Sequence, residues 1–141
     1  TDLIVGFPGE DEAEFGESLA FVRALDFAGI HVFSYSPRPG TAAARLAGQV
    51  SAAEKKRRSA LVRATVEPAA RAFHCRFVGQ IVSVLWENTD CATPEGFRWS
   101  GLTDNYLRVE TLSPALLWKT ITPVEITGLG AAGLTGRLVA A

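Results

Sequence analysis

The pattern of the first 36 residues constrains this chain most. Two short apolar runs, residues 2–7 (DLIVGF) and 30–36 (IHVFSYS), flank a segment with helical spacing. Strands joined through a helix lie parallel in one sheet, with a right-handed crossover. The first run is almost continuously apolar, which predicts a strand buried on both faces. Gly6, Pro8 and Gly9 then mark a turn. Asp11 and Glu14 have the spacing of a capping box, and the acids Asp11, Glu12 and Glu14 suit the positive end of a helix. Phe15, Leu19 and Val22 share one face of that helix, and Gly29 is the expected stop. Two parallel strands leave bare edges, so their neighbours are expected upstream of Thr1. The sequence contains no methionine, and the chain is expected to be part of a longer protein.

The rest of the chain changes character twice. A loop of Pro, Gly and Ala leads to Ser51 and Glu54, a second capping-box pair, which opens a basic helix over about 52–66. Pro68 is expected to end or kink it, or to begin a further turn at 69–76. From Phe77 the residues alternate and are β-branched. Residues 78–86, 99–111 and 122–127 read as strands, the segment 128–136 is glycine-rich, and Leu138 and Val139 close the module. Several short strands without a helix predict a small β-barrel of oligonucleotide-binding type. The fold class is therefore α/β followed by all-β, with a boundary near residue 70.

Charge follows the same division. Residues 1–37 hold seven acids and one base, Arg23. Residues 38–76 hold nine bases against Glu54 and Glu67, a net +7 that attracts a polyanion over a range of ~10 Å. On charge alone, a solvated helix face is the favoured reading over RNA contact. Residues 77–141 are net −2. No apolar run approaches the ~20 residues of a membrane span. Cys75 and Cys91, with His31 and His74, lack the spacing of a metal site and fit a reducing cytoplasm.

Two segments stand where ligands gather, at the carboxyl ends of parallel strands. In Gly6-Phe7-Pro8-Gly9-Glu10, glycine admits a ligand to the backbone and the helix start favours an anionic group. A plain strand-to-helix turn is an equal reading. In Tyr35-Ser36-Pro37-Arg38-Pro39-Gly40-Thr41 two prolines stiffen a loop that presents a planar cation, Arg38. In the second module, Asn105, Tyr106 and Arg108 offer RNA a hydrogen bond, a stacking face and a phosphate contact, with barrel packing an equal reading for any one of them. Strand alternation puts Tyr106 and Arg108 on one face and Asn105, Leu107 and Val109 on the other. Trp86, Trp99 and Trp118 are expected in the core rather than as stacking platforms.

Taken together, TDLIVGFPGE, HVFSYSPRPGT and the capped basic helix running to FVGQ resemble the methylthiotransferases of the radical S-adenosylmethionine (SAM) class. GLTDNYLRVE, PVEITG and LTGRL resemble the TRAM domain that ends those enzymes. HVFSYSPRPGT and GLTDNYLRV are most similar to the branch that adds a methylthio group at C2 of N6-threonylcarbamoyladenosine beside the tRNA anticodon. Asp11 and Ala42 stand where family members usually have threonine and proline, both at loop or cap positions.

The resemblance implies the last βαβ portion of a partial (β/α) barrel over residues 1–70 and a TRAM-type barrel over 71–141. It implies SAM at Gly6, Pro8, Gly9, Glu10 and Tyr35, and substrate or RNA at Arg38, Asn105, Tyr106 and Arg108. The tRNA anticodon arm is the implied partner. Two 4Fe–4S clusters are implied for the whole enzyme, on cysteine motifs that neither Cys75 nor Cys91 matches, so this stretch alone is expected to be inactive. Other expectations are a related enzyme acting on isopentenyladenosine or on a ribosomal-protein aspartate, and a stand-alone TRAM-type RNA-binding protein.

Overall fold

A computed structural model describes residues 1–139, apart from the side chains of Asp90 and Cys91, so any role of Cys91 lies outside the described residues. The chain divides into two compact units, Thr1–Ala72 and Phe73–Ala141.

In the first unit, β1 (Asp2–Val5) and β2 (His31–Ser34) are parallel, with Leu3 opposite Val32 and Val5 opposite Ser34. Helix α1 (Glu12–Ala24) connects them, and the Asp11–Glu14 capping box forms in both directions. The helix ends before Gly29: the Leu25 amide closes the last turn on the Phe21 carbonyl, and Asp26 turns left-handed at φ 46°. Aspartate tolerates that conformation better than most residues. Val5, Phe15 and Val62 form the core, with Leu3, Leu19, Ile30 and Val32 packed around it.

That core lies on one face of the sheet only. Ile4 is 56% and Phe33 53% exposed, so the expectation of a strand buried on both faces fails here. Alternation aims Leu3 and Val5 at the helices and Ile4 at the opposite face, which no described residue of the unit covers.

Helix α2 (Ala52–Cys75) is longer than expected, because Pro68 sits within it. Proline removes one amide donor but does not by itself terminate a helix whose flanks are held. Arg58, Val62 and Val66, four apart, make its buried stripe, together with Ser59. Its capping box forms only in part. The Glu54 amide donates to Ser51 Oγ at 3.2 Å, while the Glu54 carboxylate accepts from Arg57 and Arg58.

The second unit is a closed five-stranded barrel in the order β3-β4-β5-β7-β6. Its strands are β3 (Ile81–Thr93), β4 (Gly96–Thr103), β5 (Arg108–Ser113), β6 (Ile121–Leu129) and β7 (Leu134–Leu138). Register shifts between Trp86 and Asn88 and between Thr89 and Cys91 bend β3 as closure requires. Gly101 lets β4 approach β3, since a Cβ there would collide with the Leu85 carbonyl. Val84, Trp86, Trp99, Val109, Val124, Ile126 and Leu134 fill the interior. The Trp86 indole donates to Thr122 Oγ1 and that of Trp99 to the Ala115 carbonyl, so both rings are buried with their polar atoms satisfied. Trp118 departs from expectation: it is 54% exposed, with Lys119 Nζ 5.6 Å from its ring centroid.

Candidate functional site

Both strand-end segments of the first unit fold into the same local device. The Glu10 amide donates to the Phe7 carbonyl across Pro8 and Gly9, and the Thr41 amide to the Arg38 carbonyl across Pro39 and Gly40. In each turn proline occupies the second position and a left-handed glycine the third, Gly9 at φ 90° and Gly40 at φ 84°. That is type II turn chemistry. The turns follow β1 and β2 in parallel register, which brings both to one rim of the sheet.

Between them lies a cavity of about 460 Å³ lined by Ile4, Phe7, Phe33, Tyr35, Arg38 and Thr41. Phe7 and Tyr35 meet edge to face with centroids 5.2 Å apart. Tyr35 Oη is buried without a hydrogen-bond partner. Arg38 is exposed, and no ion pair holds it among the described residues. Tyr35 and Arg38 thus share this cavity, while Gly6, Pro8, Gly9 and Glu10 build the turn beside it.

Glu10 faces inward. Its Oε2 accepts from the Gly6 amide at 2.8 Å and the Phe7 amide at 3.2 Å, and its Oε1 accepts from Arg58 Nη1 at 2.6 Å. Arg58 Nη1 also donates to the Glu10 carbonyl, and its Nε to Glu54 Oε1. Only 5% of the Arg58 side chain is exposed, and it packs 5.1 Å from the Phe15 ring centroid. Burial opposes its charge, but the bonds to Glu54 and Glu10 raise its pKa overall. Hydrogen bonds from Arg57 first, and then Arg58, hold the Glu54 carboxyl at about 2. Lys55, three residues before Arg58, donates from Nζ to the Tyr35 carbonyl at 2.9 Å and lies against the Tyr35 ring. Its stem packs on Gly6 so closely that a Cβ there would collide with it.

Arg57 and Arg58, counted above toward a polyanion-attracting segment, are therefore spent on Glu10, Glu12 and Glu54. Sequence reasoning missed the bracing role of Lys55 and Arg58. The available signal was Glu54 and Arg58 at i and i+4, the favourable orientation for a helical ion pair.

In the barrel, the expected strand through Asn105 and Tyr106 is a turn between β4 and β5. The Tyr106 amide donates to the Thr103 carbonyl, the Leu107 amide donates to Thr103 Oγ1, and that hydroxyl donates to Asn105 Oδ1. Tyr106 is left-handed at φ 63° and 83% exposed. Alternation begins only at Arg108, which is exposed while Leu107 and Val109 on either side are buried. Tyr106 lines a groove of about 350 Å³ with Leu85, Leu102 and Ile121, whose charged residues are Glu87 and Asp104. This groove is apolar and acidic, not cationic.

Among the described residues no group of three His, Cys, Asp or Glu side chains is placed to hold a metal ion, and Cys75 is an exposed free thiol. No described helix is long and apolar enough to cross a membrane.

No family model matches the chain. It is 37% identical over 109 residues, 77% of its length, to threonylcarbamoyladenosine tRNA methylthiotransferase MtaB of Bacillus subtilis, covering 24% of that protein. It is 37% identical over 140 residues, 99% of its length, to tRNA-2-methylthio-N(6)-dimethylallyladenosine synthase of Symbiobacterium thermophilum, covering 29%. Over these stretches the chain is similar to tRNA methylthiotransferases. A third relative, MtaB of Thermotoga maritima, is 39% identical over 87 residues, 62% of this chain and 20% of that protein. The chain thus spans roughly a quarter of the length of these methylthiotransferases.

Proposed function

We propose that this chain is the part of a radical SAM methylthiotransferase that closes one side of the SAM cavity and carries a TRAM-type tRNA-binding barrel. The proposed substrate is N6-threonylcarbamoyladenosine beside the anticodon, modified at C2, in the cytoplasm. The observation that carries this is the shared cavity of the two strand-end turns in a chain 37% identical to MtaB over 109 residues. The HVFSYSPRPGT and GLTDNYLRV segments favour this branch. Residues 1–70 are proposed as the last βαβ portion of a (β/α) barrel, with Ile4 and Phe33 on its inner wall.

The residues present fit SAM. The exposed Gly9 turn allows backbone approach, Phe7 and Phe33 give an apolar wall, and the Tyr35 hydroxyl is a buried group in need of a partner. When bound, SAM supplies the methyl group and, with an iron–sulfur cluster, the radical that a C–H bond of this kind requires. Gly6, Pro8 and Gly9 shape the backbone toward it, Phe7 and Tyr35 exclude water, and Arg38 attracts an anionic group of cofactor or substrate. Glu10 and Arg58 hold the turn from behind. Iron–sulfur clusters take thiolate ligands, and the one described thiol, Cys75, stands alone. Cluster ligands and activity are therefore proposed for regions of the enzyme that this chain does not span. Asn105, Tyr106 and Arg108 are the proposed RNA contacts of the barrel.

A second reading, dimethylallyladenosine as substrate, is favoured by the name of the Symbiobacterium relative, which aligns over 99% of the chain. Nucleoside mass spectrometry of tRNA from a strain lacking the gene separates them. The proposal expects loss of the methylthio form of threonylcarbamoyladenosine alone. Loss of the methylthio form of the dimethylallyl nucleoside instead would support the second reading, and no loss of either would overturn both.

A further inference from the structure

Beside the carboxyl end of β2, sharing Ser34, Tyr35 and Ser36 with the cavity of the two turns, lies a pocket of different chemistry. Its volume is about 430 Å³, and Lys55, Lys56, Ser59 and Arg63 of α2 complete its polar lining. No carboxylate lines it. Ala52, in the first turn of α2, adds the positive end of a 24-residue helix.

The nearby acids do not neutralise these cations. Glu54 is taken by Arg57 and Arg58, and Glu67, one turn beyond Arg63, is not part of the lining. Lys55 is committed to the Tyr35 carbonyl. Lys56 and Arg63 are exposed and have no ion pair among the described residues, Arg63 making only a long 3.4 Å contact to the Val32 carbonyl. They stand seven residues apart on one face of α2, about 10 Å along its axis. Two exposed cations without ion pairs, serine hydroxyls and a helix start make a site for a tetrahedral oxyanion. A neutral sugar would leave the cations unused, and a cation would be repelled.

We propose that this pocket binds phosphate, and that its occupant is a phosphodiester of the substrate RNA. The second clause rests on the tRNA reading above. It also answers a need of that reading: residues 77–141 are net −2 and the barrel groove carries Glu87 and Asp104, so backbone phosphates require cations from elsewhere.

The test measures binding of an anticodon stem-loop RNA to the chain as a function of salt, for the unsubstituted protein, K56Q, R63Q and the double variant. R23Q, on α1, makes the same change of net charge as either single variant, away from the pocket, and is compared with those two. Each lost phosphate contact lowers the log–log salt slope by roughly 0.7–0.9, so the double variant is expected to lose about 1.5 and roughly 10- to 30-fold in affinity near 0.1 M salt. R63K is expected to keep the slope, and R23Q to leave it unchanged. An equal loss in R23Q would overturn the pocket in favour of a diffuse field. Failure of the unsubstituted chain to bind RNA would overturn the tRNA reading and the assignment together. In a parallel arm, inorganic phosphate is titrated at constant ionic strength while the Lys56 and Ser59 amide resonances, which belong to this pocket and not to the Arg38 cavity, are followed. Phosphate binding there with an unaltered RNA slope in the double variant would make the ligand a free phosphate and overturn the RNA assignment. Both variants alter exposed side chains, so unchanged thermal midpoints are expected alongside.

Discussion

The two units solve the burial problem in opposite ways. The barrel closes on itself: its strands have no free edge around the ring, and Trp86, Val84, Val109 and Val124 are completely buried. In the first unit only Val5 and Val62 are fully buried, with Phe15, Val22 and Val66 nearly so, and Ile4, Phe7, Phe21 and Phe33 are left exposed. Where apolar packing is thin, an ion-pair network centred on Arg58 sets the geometry. The barrel is held by its core, and the turn at Gly6–Glu10 by polar bonds with defined directions.

The largest expected effect is in the barrel. W86A removes a fully buried indole and strands Thr122 Oγ1, and it should cost about 3–5 kcal/mol in denaturant unfolding of that unit. Near-normal stability would mean that the barrel core is not what holds the second unit. R58A should cost about 1.5–3 kcal/mol, because it leaves Glu10 with one charged partner fewer at a part-buried site. It should also speed hydrogen exchange at the Gly6 and Phe7 amides, while R58K restores part of the protection. Unchanged exchange at those two amides would remove the bracing role.

The pH dependence of the network is a smaller effect with a definite sign. Glu54 titrates at about 2 when folded against an ordinary 4.5, so its contribution is complete above pH 4.5 and is lost as pH falls toward 2. E54Q should therefore flatten the fall of the thermal midpoint across that window and change little at pH 7. An identical acid profile for the two proteins would contradict the ion-pair assignment. The smallest effect is expected on the uncovered face. F33S alters a half-exposed ring and should shift the stability of this chain by no more than about 0.5 kcal/mol. A large loss would show that the face is packed in solution.

Much of the local structure was legible in the sequence because it rests on short-range chemistry. The Asp11–Glu14 cap, the Pro-Gly turns and the alternation of β3 all depend on neighbouring residues. What was not legible depends on partners distant along the chain. Arg58 reads as one base in a cationic run, and only folding brings it to Glu10, 48 positions away. The apolar run of β1 predicts burial on both faces and Ile4 is exposed, because such a run reports the tendency to be covered, whether or not a cover is present. Regular alternation through NYLRV predicts a strand at Tyr106, yet the Thr103 side chain bonds the Leu107 amide and turns the backbone first. The candidate SAM residues were legible as motifs, but the inward aim of the Glu10 carboxylate was not.

Residue-resolved hydrogen exchange of the intact chain tests the contrast between the units most directly. The account predicts that the amides of Val84, Trp86, Val109 and Val124 exchange only with unfolding of the whole barrel, while those of β1 and β2 open at a clearly lower free energy. A single common free energy for both sets would contradict it.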